Sequence, residues 1–168
     1  KQLAETLEKS GYSEPTPIQE KTIPELLKGR DVVGIAQTGT GKTAAFVLPI
    51  LEMLIQAKTP VEPKRCTALI VVPTRELASQ IDDNIGKYGD KIYHQRATIV
   101  GGMKYPPQVK KLFRGLDIMV ATPGRLEDHL KQGTISLQDT KIVGTRPSNR
   151  AKPPLMRWPK HRAEHRAE

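Results

Sequence analysis

Short apolar runs alternate along this chain with longer segments in which apolar residues recur at helical spacing. The strand-like runs are 31–36, 68–72, 97–100 and 118–121, and a fifth begins at 141–143. The segments with helical spacing are 42–57, 75–87, 106–114 and 124–132. Strands that alternate with helices are typical of a mostly parallel sheet with helices on both faces, so the pattern predicts an α/β domain.

The two ends of the chain depart from this alternation. Near the start, the apolar spacing predicts two short helices on either side of a proline-containing turn at 11–17. Near the end, the fifth strand stops at Gly144, which opens a segment with four of the 14 prolines and few apolar residues. The sequence therefore predicts a partial domain at 1–143, incomplete in its C-terminal strands, and a poorly structured tail at 144–168.

The net charge of +9 is concentrated in that tail. Residues 144–168 hold seven basic and two acidic side chains, against 20 basic and 16 acidic ones in residues 1–143. A basic tail can bind the phosphates of nucleic acid without sequence preference. A solvated tail with no partner is the alternative, because charged runs often face only water.

Composition excludes several classes of protein. Hydrophobic residues make up 37% of the 168 residues, which is enough for a core. No apolar run approaches the ~20 residues of a membrane-spanning helix, so we expect no membrane partner. Cys66 is the only cysteine, which excludes a disulfide framework and a cysteine-based zinc site. The chain begins at Lys1 without a signal peptide, so we expect part of a longer intracellular product, cytoplasmic or, in a eukaryote, nuclear.

The strongest chemical signal is a glycine-containing loop between the first strand and the first long helix. Glycines let the backbone curl so that successive N–H groups point toward one anion at the helix N-terminus. Lys42 supplies a charge for the β and γ phosphates of a nucleotide, and the Thr43 hydroxyl is a ligand for Mg²⁺. Ala36 replaces the glycine that usually opens this pattern. The predicted triphosphate site consists of Ala36, Gln37, Thr38, Gly39, Thr40, Gly41, Lys42 and Thr43.

Taken with its other motifs, the chain resembles the N-terminal domain, a RecA-like P-loop NTPase fold, of the DEAD-box ATP-dependent RNA helicases. Residues 11–19, Gly-Tyr-Ser-Glu-Pro-Thr-Pro-Ile-Gln, are similar to the family's Q motif. The resemblance implies that the Gln19 amide pairs with the adenine edge of ATP, that Tyr12 belongs to the same site, and that ATP and Mg²⁺ are the cofactors. The segment taken alone, without the resemblance, favours a turn at Pro15–Pro17 and a surface position for Gln19.

Three more motifs follow in the family's order, each directly after a predicted strand. Residues 73–78 resemble motif Ia, Gly101-Gly102 resembles the family's double glycine, and residues 122–125 resemble motif Ib. Open α/β sheets bind ligands at the C-terminal ends of their strands. The resemblance implies that these loops hold the sugar-phosphate backbone of RNA without reading its sequence. The implied RNA-binding residues are Pro73, Thr74, Arg75, Gly101, Gly102, Thr122, Gly124 and Arg125.

The resemblance ends at residue 143. The family's fifth strand ends in Asp-Glu-Ala-Asp, whose acids hold Mg²⁺ and orient the attacking water. Here residues 144–147 are Gly-Thr-Arg-Pro, and neither the family's Ser-Ala-Thr strand nor a second RecA-like domain follows. We therefore expect no catalytic residues, and a gap in the sheet between the first and fifth strands. The tail, a partner chain through self-association, or disorder would occupy that gap.

Three interpretations of function stay open at this point. The first is the ATP- and RNA-binding N-terminal domain of a DEAD-box helicase, with little or no turnover of its own. The second is a nucleotide-responsive RNA-binding module without enzymatic activity. The third is a non-functional, frame-shifted product, because the codons GAC GAG GCC for Asp-Glu-Ala, read one base later, encode the Thr-Arg-Pro found at 145–147. A gene fusion is the other possible origin of the tail.

Overall fold

The computed structural model describes residues 2–9, 11–33, 41–57, 59–145 and 155–157. The first elements are helices α1 (Gln2–Lys9) and α2 (Pro17–Leu27), strand β1 (Val32–Val33) and helix α3 (Lys42–Ala57). They are followed by β2 (Cys66–Val71), α4 (Arg75–Tyr88), β3 (Arg96–Ile99), α5 (Tyr105–Phe113), β4 (Leu116–Ala121) and α6 (Pro123–Lys131). The last two are strands β5 (Ile142–Thr145) and β6 (Leu155–Arg157). The alternation of strands and helices predicted from the sequence is confirmed.

These strands form one six-stranded sheet in the order β1-β6-β5-β2-β4-β3. Strand β2 is parallel to both β4 and β5, and β3 is parallel to β4. The register places Val71 and Ile99 on either side of Ala121, so three neighbouring strands end at the same level. The predicted α/β fold with a mostly parallel sheet is therefore confirmed.

Helices cover both faces of the sheet, as the apolar strands require. On one face, alternate β2 residues such as Ile70 pack in a cluster with Ile50 of α3 and Ile81 of α4. On the other face, Leu69 belongs to a second cluster that includes Leu112, the last buried residue of α5. Both faces of β2 are thus buried, which explains its continuous apolar run. None of the helices in the described ranges has the length and apolar character needed to cross a membrane.

The gap expected between the first and fifth strands is filled by part of the tail. Strand β6 runs antiparallel to both neighbours, with Met156 paired to Val32 on one side and to Gly144 on the other. The prediction of a poorly structured tail from residue 144 is therefore wrong for Gly144 and Thr145, which continue β5, and for residues 155–157. The physical reason is that buried backbone N–H and C=O groups on β1 and β5 need partners, and any extended segment can supply them. Composition does not reveal this demand because it arises elsewhere in the chain.

We predict that Met156→Pro lowers the stability of the domain. Proline removes the backbone N–H of a strand that is paired on both sides, and we expect a loss of roughly 1–3 kcal/mol in the free energy of unfolding. Urea unfolding followed by circular dichroism measures this loss. Met156→Val is the matched control because valine keeps the N–H and favours strands. Equal unfolding midpoints for Met156→Pro and the unmodified chain would show that β6 contributes nothing to stability.

Candidate functional site

The start of α3 forms the described part of the predicted triphosphate site. Gly41 precedes the helix with φ +78°, a left-handed conformation that favours glycine. A Cβ atom at Gly41 would collide with the Gln19 side-chain amide, so the backbone is closely approached there. Lys42 and Thr43 open the helix and are partly exposed. The predictions for Ala36, Gln37, Thr38, Gly39 and Thr40 lie outside the described residues.

Gln19 is a buried link between α2 and this helix start, not a surface residue beside a turn. Only 4% of its surface is exposed. Its Oε1 accepts a hydrogen bond from the Thr16 backbone N–H at 3.0 Å, which caps α2. Its Nε2 donates to the Gly41 carbonyl oxygen at 3.1 Å. The residue that the resemblance assigns to adenine is therefore coupled directly to the residue before Lys42.

Tyr12 lies against the end of α4. Its hydroxyl is 2.7 Å from the Tyr88 hydroxyl, and the two rings meet edge to face with centroids 5.4 Å apart. The Lys87 ammonium lies 5.4 Å from the centre of the Tyr12 ring. Burial raises the pKa of Tyr88 above its ordinary value, and the hydrogen bond to Tyr12 raises it by a smaller amount. These contacts connect the start of the chain to α4, and the assignment of Tyr12 to the nucleotide stays a prediction.

The loops after β2, β3 and β4 emerge together at one edge of the sheet. The Val72 N–H donates to the Ala121 carbonyl at 2.9 Å, and the Thr122 N–H donates to the Ile99 carbonyl at 3.1 Å. These bonds extend the parallel ladder to the last residue before each loop. The predicted RNA-binding residues, which lie far apart in the sequence, are thus brought to neighbouring loops.

Two of the helices that begin at this edge, α4 and α6, have a threonine as N-cap. Thr74 is the N-cap of α4, and its hydroxyl accepts a hydrogen bond from the Leu77 N–H at 3.2 Å. Thr122 is the N-cap of α6, which has Pro123 in its first turn and no acidic residue there. Free N–H groups and the helix dipole make such N-termini favourable positions for anions. The edge therefore presents groups suited to phosphate oxygens at the start of α6, and also at the start of α4, where Glu76 adds a negative charge to the first turn.

Arg75 and Gly102 bring the first and second of these loops into contact. Gly102 has φ +75°, and a Cβ atom on it would collide with the Arg75 guanidinium. Both residues are exposed at the surface. A Cβ atom at Gly101 or Gly124 would meet no heavy atom within 4 Å, so open space lies beside both residues. This arrangement allows a ligand to approach the backbone closely.

A buried polar network lies behind the same loops, and the sequence reasoning missed it. The Gln108 Nε2 donates to the Val100 carbonyl at 2.9 Å, and its Oε1 lies 3.0 Å from the His129 Nε2. Burial lowers the pKa of the His129 imidazole, and the positive charge of Arg125 lowers it by a smaller amount. One signal was present in the sequence, because His129 follows Arg125 by four residues and so shares its face of the helix.

A model of the DEAD/DEAH box helicase family matches residues 16–143. The ATP-dependent rRNA helicase RRP3 of Gibberella zeae is 48% identical over 130 residues, which are 77% of this chain and 26% of that protein. The ATP-dependent RNA helicase CshA of Limosilactobacillus reuteri is 46% identical over 142 residues, 84% of this chain and 27% of that protein. The chain therefore spans about a quarter of the length of these relatives.

A solved structure agrees with this comparison. The hypothetical ATP-dependent RNA helicase from Sulfolobus tokodaii superimposes with a TM-score of 0.74 and 38% sequence identity. The match covers 84% of this chain and 39% of the Sulfolobus chain. Because the family model matches residues 16–143, most of this chain, the chain belongs to the DEAD/DEAH box helicase family. It has the RecA-like α/β fold of the Sulfolobus structure.

Proposed function

We propose that this chain is the ATP- and RNA-binding N-terminal domain of a DEAD-box RNA helicase and that it does not turn over ATP by itself. The observation that carries the proposal is the convergence of three loops on one sheet edge, with Arg75 in contact with Gly102. Relatives named as RNA helicases share this part of the chain. Self-association through the sheet is not part of the proposal, because β6 occupies the position between β1 and β5.

The nucleotide part of the proposal depends on the start of α3. Gly41, in a left-handed conformation, leads into the N-terminus of α3, where Lys42 can neutralise phosphate charge and Thr43 can offer its hydroxyl to Mg²⁺. The side chains present there therefore fit a nucleotide triphosphate with its metal. When bound, Mg²⁺ neutralises the phosphate oxygens and holds them in place. The hydrogen bond from Gln19 to the Gly41 carbonyl supports a coupling between base recognition and phosphate binding.

The RNA part of the proposal depends on contacts to phosphate and sugar. Three kinds of group suit phosphate oxygens: helix N-termini, the Thr74 and Thr122 hydroxyls, and the Arg75 and Arg125 guanidinium groups. None of them discriminates between bases by itself. The open space beside Gly101 and Gly124 admits a sugar-phosphate backbone. The substrate class is therefore RNA recognised without sequence preference. An intracellular location belongs to the same proposal.

The absence of turnover is proposed from the end of β5 and from the acids that could replace the missing ones. The strand ends in Gly144 and Thr145, where the family has carboxylates. Asp139 is 3.0 Å from the Arg65 guanidinium, and the Asp117 carboxylate accepts the Gln95 N–H at 2.6 Å. Asp117 lies near the start of β4, at the opposite end of that strand from the candidate site. Both acids therefore have structural partners.

We predict that Lys42→Ala lowers ATP affinity at least about tenfold, the loss of one charge-assisted contact to phosphate. Titration calorimetry measures the affinity. Lys28→Ala is the matched control, because Lys28 is an exposed lysine paired with Glu25 on α2.

We also predict that GTP binds more weakly than ATP, since the donor and acceptor of the Gln19 amide would meet the edge of guanine, whose hydrogen-bonding groups differ from those of adenine. Unchanged affinity in Lys42→Ala would contradict the triphosphate site, and equal ATP and GTP affinities would contradict the adenine assignment.

We predict that RNA binding is independent of base sequence and that its log affinity falls linearly with log salt. Gly102→Ala should weaken binding, because a Cβ displaces the Arg75 guanidinium and the left-handed backbone costs roughly 1–2 kcal/mol without glycine. Arg75→Ala should reduce the salt slope by about one. Fluorescence anisotropy with labelled single-stranded RNA measures both effects.

Arg114→Ala provides the control for these RNA variants. Arg114 is an exposed arginine at the C-terminal end of α5, just before β4 begins, and thus at the opposite sheet edge. If Arg114→Ala weakens RNA binding as much as Arg75→Ala does, the binding is general electrostatic attraction and the loop assignment is wrong.

We predict that the chain releases no phosphate from ATP above the background of Lys42→Ala, even with saturating RNA. The physical reason is that a positioned general base contributes about 10²–10⁴-fold to such a reaction, and β5 supplies no carboxylate. A coupled phosphate-release assay measures the rate. A rate that depends on Lys42 would mean that another acid, such as Glu76, orients the water, and would overturn this part of the proposal.

A further inference from the structure

A continuous chain of hydrogen bonds runs from the end of β3 to α6 behind the candidate RNA site. It starts at the Val100 carbonyl, one residue before Gly101, and passes through the Gln108 amide to the His129 imidazole. The other ring nitrogen, Nδ1, lies 2.8 Å from the Thr134 hydroxyl. Gln108 is 4% exposed and His129 is fully buried, so the bond between these two side chains is shielded from water.

The same unit contacts Arg125 through an aromatic ring. Tyr105 stacks on the His129 imidazole with centroids 4.2 Å apart and an angle of 8° between the planes. The Arg125 guanidinium carbon lies 5.5 Å from the centre of the Tyr105 ring, within the range of a cation–π contact. The Gly101–Gly102 turn and Arg125, near the start of α6, are therefore both connected to one buried cluster.

We propose that Gln108 and His129 are positioning residues that fix the spacing and orientation of the Gly101–Gly102 turn relative to Arg125 for RNA binding. The inference rests on the proposed function. The polar character of the pair is what suggests this role, because two apolar side chains of similar size would stabilise the core equally well or better. Hydrogen bonds are directional, so they fix the relative orientation of the groups they join. RNA binding by the Gly101–Gly102 turn and Arg125 requires such a fixed arrangement.

The orientation of each group follows from its partners. Since the Gln108 NH₂ donates to Val100, its Oε1 faces His129 and requires the ring Nε2 to carry a hydrogen. The neutral imidazole then has Nδ1 as an acceptor, 2.8 Å from the Thr134 hydroxyl, whose single proton is also within reach of the His129 carbonyl oxygen at 3.0 Å. Gln108 is therefore the only link in this path that both accepts from His129 and donates to the backbone beside Gly101, and an isosteric carboxylate cannot do both.

The first test compares RNA affinity with ATP affinity in His129→Leu and Gln108→Glu. Glutamate keeps the acceptor that faces His129 but loses the donor to Val100. We expect RNA affinity to fall about tenfold in both variants, as for one charge-assisted contact, with ATP affinity unchanged. His129→Gln, which can restore a donor to Gln108, should recover part of the loss. Parallel losses of RNA and ATP affinity would indicate general destabilisation and overturn the proposal.

The second test separates positioning from stability. Gln108→Leu with His129→Leu replaces both partners by apolar groups, which should return most of the stability lost in the single variants. We expect RNA affinity to stay low in this pair although the chain is stable. The matched control is Thr140→Val, which removes a hydroxyl bonded to the Cys66 carbonyl at 3.0 Å, at the start of β2 and away from the loops. Recovery of RNA affinity together with stability would overturn the proposal.

The third test asks whether His129 acts through Arg125. If it does, the effects of His129→Leu and Arg125→Ala on RNA affinity are not additive, and the double variant is little worse than Arg125→Ala alone. Additive effects would overturn the proposal.

A fourth test uses nuclear magnetic resonance spectra of the unliganded chain and needs no RNA. Gln108→Glu should shift the backbone amide signals of Gly101 and Gly102 and the Arg125 Nε–H signal together. Unchanged signals would also overturn the proposal, whereas an unmodified chain that binds no RNA overturns the proposed function instead.

Discussion

The parallel pairing of β2, β4 and β3 is the constraint on which the rest of the structure depends. Parallel neighbours end at the same edge of a sheet, and each must be followed by a crossover, here a helix. The loop after each strand and the first turn of the next helix are therefore forced to the same edge. Val71, Ala121 and Ile99 share one level in the register, so the loops that follow them start side by side. This shared edge creates the candidate site.

Backbone hydrogen bonding imposes a second condition on the same sheet. Among the described strands, β1 is paired only with β6, and β6 in turn is paired with β5. The strand that leads toward the phosphate loop is thus connected to the rest of the sheet through three residues of the tail. These three residues pair antiparallel to both neighbours through backbone N–H and C=O groups, which do not depend on side-chain identity except at proline, which lacks the N–H.

The candidate site contains exposed groups that can contact a ligand and buried groups that hold neighbouring elements together. Arg75, Gly102 and Gly124 are exposed and can reach a ligand, whereas Gln19 and His129 are buried and hydrogen-bonded to neighbouring elements. The buried groups connect neighbouring elements by directional bonds, Gln19 at the start of α3 and His129 behind the loops that follow β3 and β4. Buried polar groups cost free energy when they are unpaired, so each such group holds its neighbours to one arrangement.

The sequence by itself determined the local features: the alternation of strands and helices, the glycine before Lys42, and the motifs after each strand. These follow from periodicity and backbone preference, which act over a few residues. The tertiary structure alone decided that Gln19 is buried against Gly41, that Arg75 lies against Gly102, that Gln108 meets His129, and that residues 155–157 enter the sheet. Each of these contacts joins distant parts of the chain. They depend on strand register and helix packing, which no local pattern encodes.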